Sequence, residues 1–218
     1  MVVRRAFVTA LSILALAVLA GLAPFHLIDE ASAQNAVEAL VTKPVSLPDM
    51  ALGPAKAKVT ITEYASMSCP HCAAFEQNVF PMLRTKYIDT GKVHYVFREF
   101  PLDITAAATS MLARCIADGD TEKFFKTIDI MFKQQDAVMM QAKETLQAIA
   151  RQSGMDDKAV ETCLKDQAML DKLSADRKFA QDELQVDATP IFFINGEMVK
   201  GAVSFEEMQA KIDAILKK

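Results

Sequence analysis

The chain is poor in the residues that build metal centres and nucleic-acid grooves. Its 218 residues include four cysteines and three histidines, and a single Cys-x-x-Cys pair, Cys69 and Cys72. A structural zinc site takes about four ligands and is commonly built from two such pairs, so no metal is expected at this one, and no other cofactor. Attachment of a c-type haem requires histidine directly after the second cysteine, and Ala73 stands there instead. No basic run exceeds two residues, nothing basic clusters beyond Arg4-Arg5 in the body of the chain, and the net charge is −4. Both features argue against nucleic acid as the main partner. No internal repeat or low-complexity tract is present.

What is present suits one domain, or one domain with a sizeable insertion, and a hydrophobic fraction of 51% suffices for a core. Residues 1–33 read as an export signal. Arg4 and Arg5 supply a positive start, residues 6–23 are apolar, Pro24 interrupts them, and Ala31-Ser32-Ala33 offers small residues for cleavage before Gln34. The alternative is an uncleaved anchor, because 18 apolar residues approach spanning length. The paired arginines match a twin-arginine signal only loosely. All four cysteines lie beyond this segment. In an oxidising compartment an even count suggests two pairs, Cys69 with Cys72 and Cys115 with Cys163.

The chemistry concentrates in Glu63-Tyr64-Ala65-Ser66-Met67-Ser68-Cys69-Pro70-His71-Cys72. A β-type run, residues 59–64, feeds the cysteine pair, and a helix-period apolar pattern follows it (Ala73, Ala74, Phe75, Val79, Phe80, Leu83). This order places Cys69 at a helix N-terminus, among unpaired N–H groups and the positive end of the dipole. Both stabilise a thiolate, the reactive species in disulfide exchange. Pro70 falls in the first turn, where its missing N–H does no harm. Cys69, first and nearer solvent, is expected to attack, and Cys72, one turn in, to resolve the mixed disulfide. His71 lies within reach of the Cys69 sulfur, where its imidazolium or N–H further favours the thiolate and makes the disulfide oxidising. An inert staple is the competing reading, but a two-residue spacing at a helix start staples little.

Along the chain, residues 34–58 read as an extended lead-in punctuated by Pro44, Pro48 and Pro54, with a short strand near residues 45–47 and a turn at 49–53. Period-2 alternation puts Val59, Ile61 and Glu63 on one strand face. Glu63 is therefore partly buried or at the strand's end; a solvated strand residue is the alternative. The next helix should kink at Pro81 and end near Gly91. Residues 93–100 form a second strand, closed by Pro101, which completes a βαβ unit. Residues 103–185 are helical in period throughout, with Asp120 and Asp156 as caps. Residues 190–194, the Asn195-Gly196 turn and residues 197–200 make a hairpin, followed by an amphipathic helix over 205–216.

Cys69-Pro70-His71-Cys72, Glu63 upstream and Ala188-Thr189-Pro190 downstream together resemble the DsbA-like branch of the thioredoxin superfamily, from about Pro48 to the end. The resemblance implies an α/β thioredoxin fold (βαβ…ββα). Residues 59–102 and 186–218 form the thioredoxin unit, and 103–185 a helical insertion that plain thioredoxin lacks. It implies that Glu63 accepts a proton beneath the cysteine pair. It also implies that Pro190 is a cis-proline facing the dithiol, with the backbone at Thr189 offered to an extended client strand. On sequence alone a trans proline merely starting a strand remains open. Thr189 departs from the valine of the best-known DsbA type, which bears on the strength of the oxidising bias. Met67, just before the dithiol, is placed beside the substrate groove, while most other methionines sit at core spacing.

Cys115 and Cys163 are absent from plain DsbA patterns and mark a subgroup. They form a staple across the helical block, remain two buried thiols, or act as an accessory redox pair. The function implied is a periplasmic thiol:disulfide oxidoreductase. It would introduce disulfides into reduced exported proteins and be regenerated by a DsbB-type, quinone-linked membrane oxidase; a monomer is expected. Two alternatives stand: an isomerase or reductase of the same fold, and a peptide-binding chaperone with a vestigial dithiol. Isomerases of this superfamily usually carry a preceding dimerisation domain, for which residues 34–58 are too short.

Overall fold

The structure, a computed structural model, describes residues 30–43 and 45–217. Most of the expected export signal lies outside the described residues. No helix among the described residues is long and apolar enough to cross a membrane.

A five-stranded sheet of order β1-β3-β2-β4-β5 carries the molecule. Its central pair, β2 (Val59–Ala65) and β3 (Val93–Glu99), runs parallel, with Val59 opposite Val93 and Glu63 opposite Phe97. Six of seven residues in each are buried, as expected for strands covered on both faces. Between them run α2 (Pro70–Asn78), α3 (Phe80–Leu83) and a π-turn (Arg84–Ile88). The expected kink is a break: α2 stops at Asn78, and Pro81 sits in the first turn of α3, where it needs no N–H donor. Gly91, at φ +74°, closes the segment with its N–H on the Ile88 carbonyl. The hairpin β4 (Ile191–Ile194) and β5 (Glu197–Lys200) joins β2 antiparallel. Its Asn195-Gly196 turn has both residues at positive φ, the conformation that suits this dipeptide.

The lead-in departs from expectation. Residues 34–58 are not simply extended: α1 (Glu30–Val41) runs into them, and β1 (Met50–Leu52) lies antiparallel to β3. Neither a strand at 45–47 nor a simple turn at 49–53 forms. Val37, Leu40 and Val41, at helical spacing, pack with Leu184, Val186 and Phe193, so tertiary burial decides what local composition left open. A Cβ at Gly196 would lie 2.6 Å from the Gln34 carbonyl; its absence lets α1 approach the hairpin.

The helical insertion comprises α4 (Ile104–Ala117), α5 (Thr121–Lys133), α6 (Gln135–Met140), α7 (Ala142–Gln152), α8 (Asp157–Leu164) and α9 (Gln167–Glu183). Asp120 and Asp156 cap α5 and α8 as read from sequence, and Asp166 caps α9. Helix α6 was not anticipated. The final helix, α10 (Phe205–Leu216), opens with a Ser204/Glu207 capping box. One aromatic core joins insertion and sheet: Phe80 stacks on Phe125 with centroids 5.7 Å apart, and Phe97 meets Phe124 edge-on. Arg114 of α4 forks onto the buried Glu99 carboxylate at the end of β3, at 2.5 and 2.7 Å.

Candidate redox site at the start of the active helix

Strand β2 ends by delivering Glu63 into the core and the chain into a tight turn. The Cys69 N–H donates to the Ser66 carbonyl at 3.1 Å. Cys69 is the N-cap of α2, with extended backbone (φ −84°, ψ 119°), and Pro70 follows in the first turn. No side chain among the described residues caps this helix, which leaves its first N–H groups for a ligand or a sulfur. The Thr189–Pro190 peptide bond is cis. The loop it shapes lies against the motif, with Cys69 Sγ donating to the Thr189 carbonyl at 3.2 Å.

Cys69 and Cys72 are both free thiols here. Cys69 is the more accessible of the two, but at 5% against 1% it is far more covered than expected, because the Thr189 loop lies over it. Hydrogen bonding lowers the Cys69 pKa to about 5, against an opposing effect of burial. The largest contribution is the Cys72 thiol donating to the Cys69 sulfur; the Thr189 side chain and the backbone N–H groups of Cys72 and His71 add to it. Thr189 Oγ1 is buried with no hydrogen-bond partner among the described residues in this dithiol state. Its approach to Cys69 leaves it free to serve the thiolate. Cys72 moves the other way. Burial, its donation to Cys69 and the neighbouring Glu63 carboxylate all push its thiol well above the ordinary value. The two sulfurs are thus driven apart, one toward charge and one toward neutrality.

Glu63 is 1% exposed. Burial pushes its carboxyl up to about 8, although the Tyr95 hydroxyl donates to Oε2 and favours the ionised form. A buried acid protonated at neutral pH, close enough to Cys72 to raise its pKa, has the properties of a proton carrier. His71 and Pro70 are exposed; what His71 brings to the sulfur is its backbone N–H, where a side-chain contribution was expected. Met67 corrects its expectation outright. It is 3% exposed and packed into the main core, so its side chain lines no open groove.

Three residues at the site went unread in the sequence. Tyr95 falls within the strand read over residues 93–100, with no role assigned to it there. Glu76 is buried, and burial followed by the Glu63 charge raises its carboxyl well above the usual range; its place one turn after Cys72 could have signalled it. Gln135 arrives from α6, far away in sequence, and bonds to the backbone around Cys69. Cys115 and Cys163 form a disulfide, with Cα atoms 6.2 Å apart, tying α4 to α8. No cluster of His, Cys, Asp and Glu able to hold a metal exists among the described residues.

A thioredoxin family model matches residues 46–214, and the structure superposes on Wolbachia pipientis alpha-DsbA1 with a TM-score of 0.74 at 34% identity, over 81% of this chain and 94% of that one. The chain belongs to the thioredoxin family, in its DsbA-like branch. A Rickettsia bellii protein named as a protein-disulfide oxidoreductase is 37% identical over 79% of this chain. A Bacillus cereus protein named for disulfide bond formation is 29% identical, over 77% of this chain and 78% of its own length. The chain spans 66% of the Rickettsia bellii relative, about two thirds. DsbA-like membership carries the mixed sheet with inserted helices, as seen here.

Proposed function

We propose that this protein is an exported thiol:disulfide oxidoreductase that oxidises reduced client proteins through a Cys69–Cys72 disulfide. A client thiolate attacks Cys69 Sγ; the Cys69–Cys72 bond breaks and Cys72 leaves with the electron pair. Cys72 takes a proton, for which Glu63 is the nearby carrier. The client's second thiolate then attacks its own sulfur in the mixed disulfide, forms the client disulfide and releases the Cys69 thiolate. Two electrons have moved from client to protein. A DsbB-type, quinone-linked membrane oxidase accepts them in turn, and the protein works as a monomer in the periplasm.

The observation that carries this reading is the placement of the Cys69 sulfur. It sits at the open start of α2, under the Cys72 thiol and beside the cis-proline loop, where several donors favour its charged form. A leaving group of low pKa leaves fast and stabilises the dithiol form, so the disulfide is oxidising. Client binding has support in the surroundings. Ile104 and Met140 are 74% and 81% exposed. Ile104 starts α4 two residues after Leu102, whose N–H bonds to Ser66 Oγ, and Met140 ends the α6 that reaches Cys69. Such apolar surface suits unfolded chains.

The test is refolding of reduced ribonuclease and reduction of insulin, by wild type and Cys69→Ser, with titration of the wild type against glutathione. Wild type should drive ribonuclease oxidation and hold its disulfide weakly against glutathione, while the variant does neither. Full activity in Cys69→Ser defeats the reading. A disulfide held tightly against glutathione moves the function to reduction or isomerisation.

A further inference from the structure

We infer that Gln135, from the helical insertion, is a positioning residue that sets the redox bias of the dithiol by fixing where Cys69 stands. The inference rests on the proposed role of Cys69 as the sulfur that forms the mixed disulfide with a client and leaves it as a thiolate. Gln135 is 8% exposed. Its Nε2 donates to the Met67 carbonyl at 2.9 Å and to the Cys69 carbonyl at 3.0 Å. A primary amide has two protons to donate, and both are used on the carbonyls either side of Ser68.

The local sequence explains how the amide gets there. Helix α5 ends at Lys133, and Gln134 breaks the run at φ −104°, ψ 18° before α6 begins with Gln135. The break turns the chain at the point where α5 packs along α2, and an amide on a two-methylene stem spans the remaining gap. The Cys69 carbonyl already accepts the Ala73 N–H at 3.1 Å, the first bond of the active helix. The second donor, from Gln135, holds the peptide plane that joins Cys69 to Pro70. That plane determines how Cys69 Sγ sits over the N–H groups of His71 and Cys72.

Loosening it does not affect the two redox forms equally. Hydrogen bonds to a charged acceptor are about twice as strong as neutral ones, so a small displacement of Sγ weakens the thiolate's bonds more than those of a disulfide sulfur. Gln135 therefore favours the dithiol form and makes the disulfide more oxidising. A brace that merely held the fold would stabilise both forms alike.

The experiment is Gln135→Met, which keeps the length of the side chain and removes both donors. Thiolate absorbance against pH gives the Cys69 midpoint, and glutathione buffers give the ratio of disulfide to dithiol. The midpoint should rise above that of wild type, and the ratio at a fixed buffer should rise about threefold to tenfold, as for loss of one buried hydrogen bond. Gln77→Met removes another side-chain bond between α2 and the insertion, to the Phe132 carbonyl at 3.4 Å, and should leave both readouts unchanged. If Gln135→Met does not fold, Gln135→Asn, one methylene short, should move both readouts in the same direction. A lower melting temperature with midpoint and ratio within about twofold of wild type overturns the inference, as does an equal shift in Gln77→Met. An ordinary thiol midpoint in wild type sinks the reading of Cys69 itself; a low wild-type midpoint unmoved by Gln135→Met sinks only the role of Gln135.

Discussion

The Cys69 sulfur meets Thr189 through two groups that act in opposite directions. The carbonyl, 3.2 Å away, accepts from the thiol and favours the protonated form. The hydroxyl, buried without a hydrogen-bond partner among the described residues, is a donor that favours the charged sulfur. The side chain lowers the Cys69 pKa, so Thr189→Val removes the hydroxyl, keeps the shape and leaves the carbonyl in place. The thiolate midpoint should rise, and the equilibrium with glutathione should shift about tenfold toward the protein disulfide, the scale of a hydrogen bond to a charged group. Absorbance titration of the dithiol form checks it. An unchanged midpoint would mean that the backbone N–H groups and Cys72 carry the whole effect.

Glu63 should leave its mark on stability as well as on rate. Its folded pKa of about 8 lies above the ordinary 4.5 of a glutamate carboxyl. Between those limits the folded state binds more protons than the unfolded one, so stability falls as pH rises from 4.5 to about 8 and levels off above. Glu63→Gln removes a group that must charge inside the core. In chemical denaturation at several pH values, the variant should lose this decline and exceed wild type at pH 8. Its rate of client oxidation should drop by about a hundredfold, typical for loss of a positioned acid–base group, because Cys72 no longer has a proton carrier beside it. A variant that is stabilised but unslowed would leave Glu63 as a buried acid with no catalytic part.

Much of this site could be read from the chain because its signals are local. Cys69 at a helix start, Pro70 in the first turn, Glu63 on the inward strand face and the Asn195-Gly196 turn all follow from spacings of a few residues, and each appears in the fold. The cis bond before Pro190 came from family resemblance, since sequence alone left it open. What escaped depends on contacts between distant segments. Helix α1 and strand β1 exist because residues some 140 positions later and the free edge of β3 give them something to cover. Met67, placed beside the substrate groove because it precedes the dithiol, instead packs into the main core. Tyr95 and Gln135 carry no local mark of function; only the register of β2 on β3 and the break at Gln134 bring them to the motif.

The two redox forms should part in stability over a defined pH window. In the dithiol form the Cys69 pKa falls from 9.0 to about 5 on folding. Between those values the unfolded state binds more protons, so the stability of the dithiol form gains with pH from about 5 up to 9 and loses that gain as pH falls through 5. The disulfide form has no such group. Melting temperatures of the two forms should therefore diverge as pH rises from 5, with the dithiol form the higher at neutral pH. Parallel curves, or a more stable disulfide form, would contradict an oxidising dithiol.

The disulfide between Cys115 and Cys163 separates two kinds of influence the insertion can have on the site. It closes a segment of 48 residues, and the chain-entropy account assigns such a loop about 4 kcal/mol of stability, through restriction of the unfolded chain. It ties α4 to α8, while the bonds that reach Cys69 come from α6. A staple of this kind acts on the unfolded ensemble and leaves the folded geometry at Cys69 alone. Cys115→Ala with Cys163→Ala should therefore lower the melting temperature by roughly 10 °C, without moving the Cys69 midpoint or the equilibrium with glutathione. An accessory redox pair predicts the reverse: a moved equilibrium, and a loss of stability that need not accompany it. Thermal unfolding of the double variant, read beside its glutathione titration, decides between them.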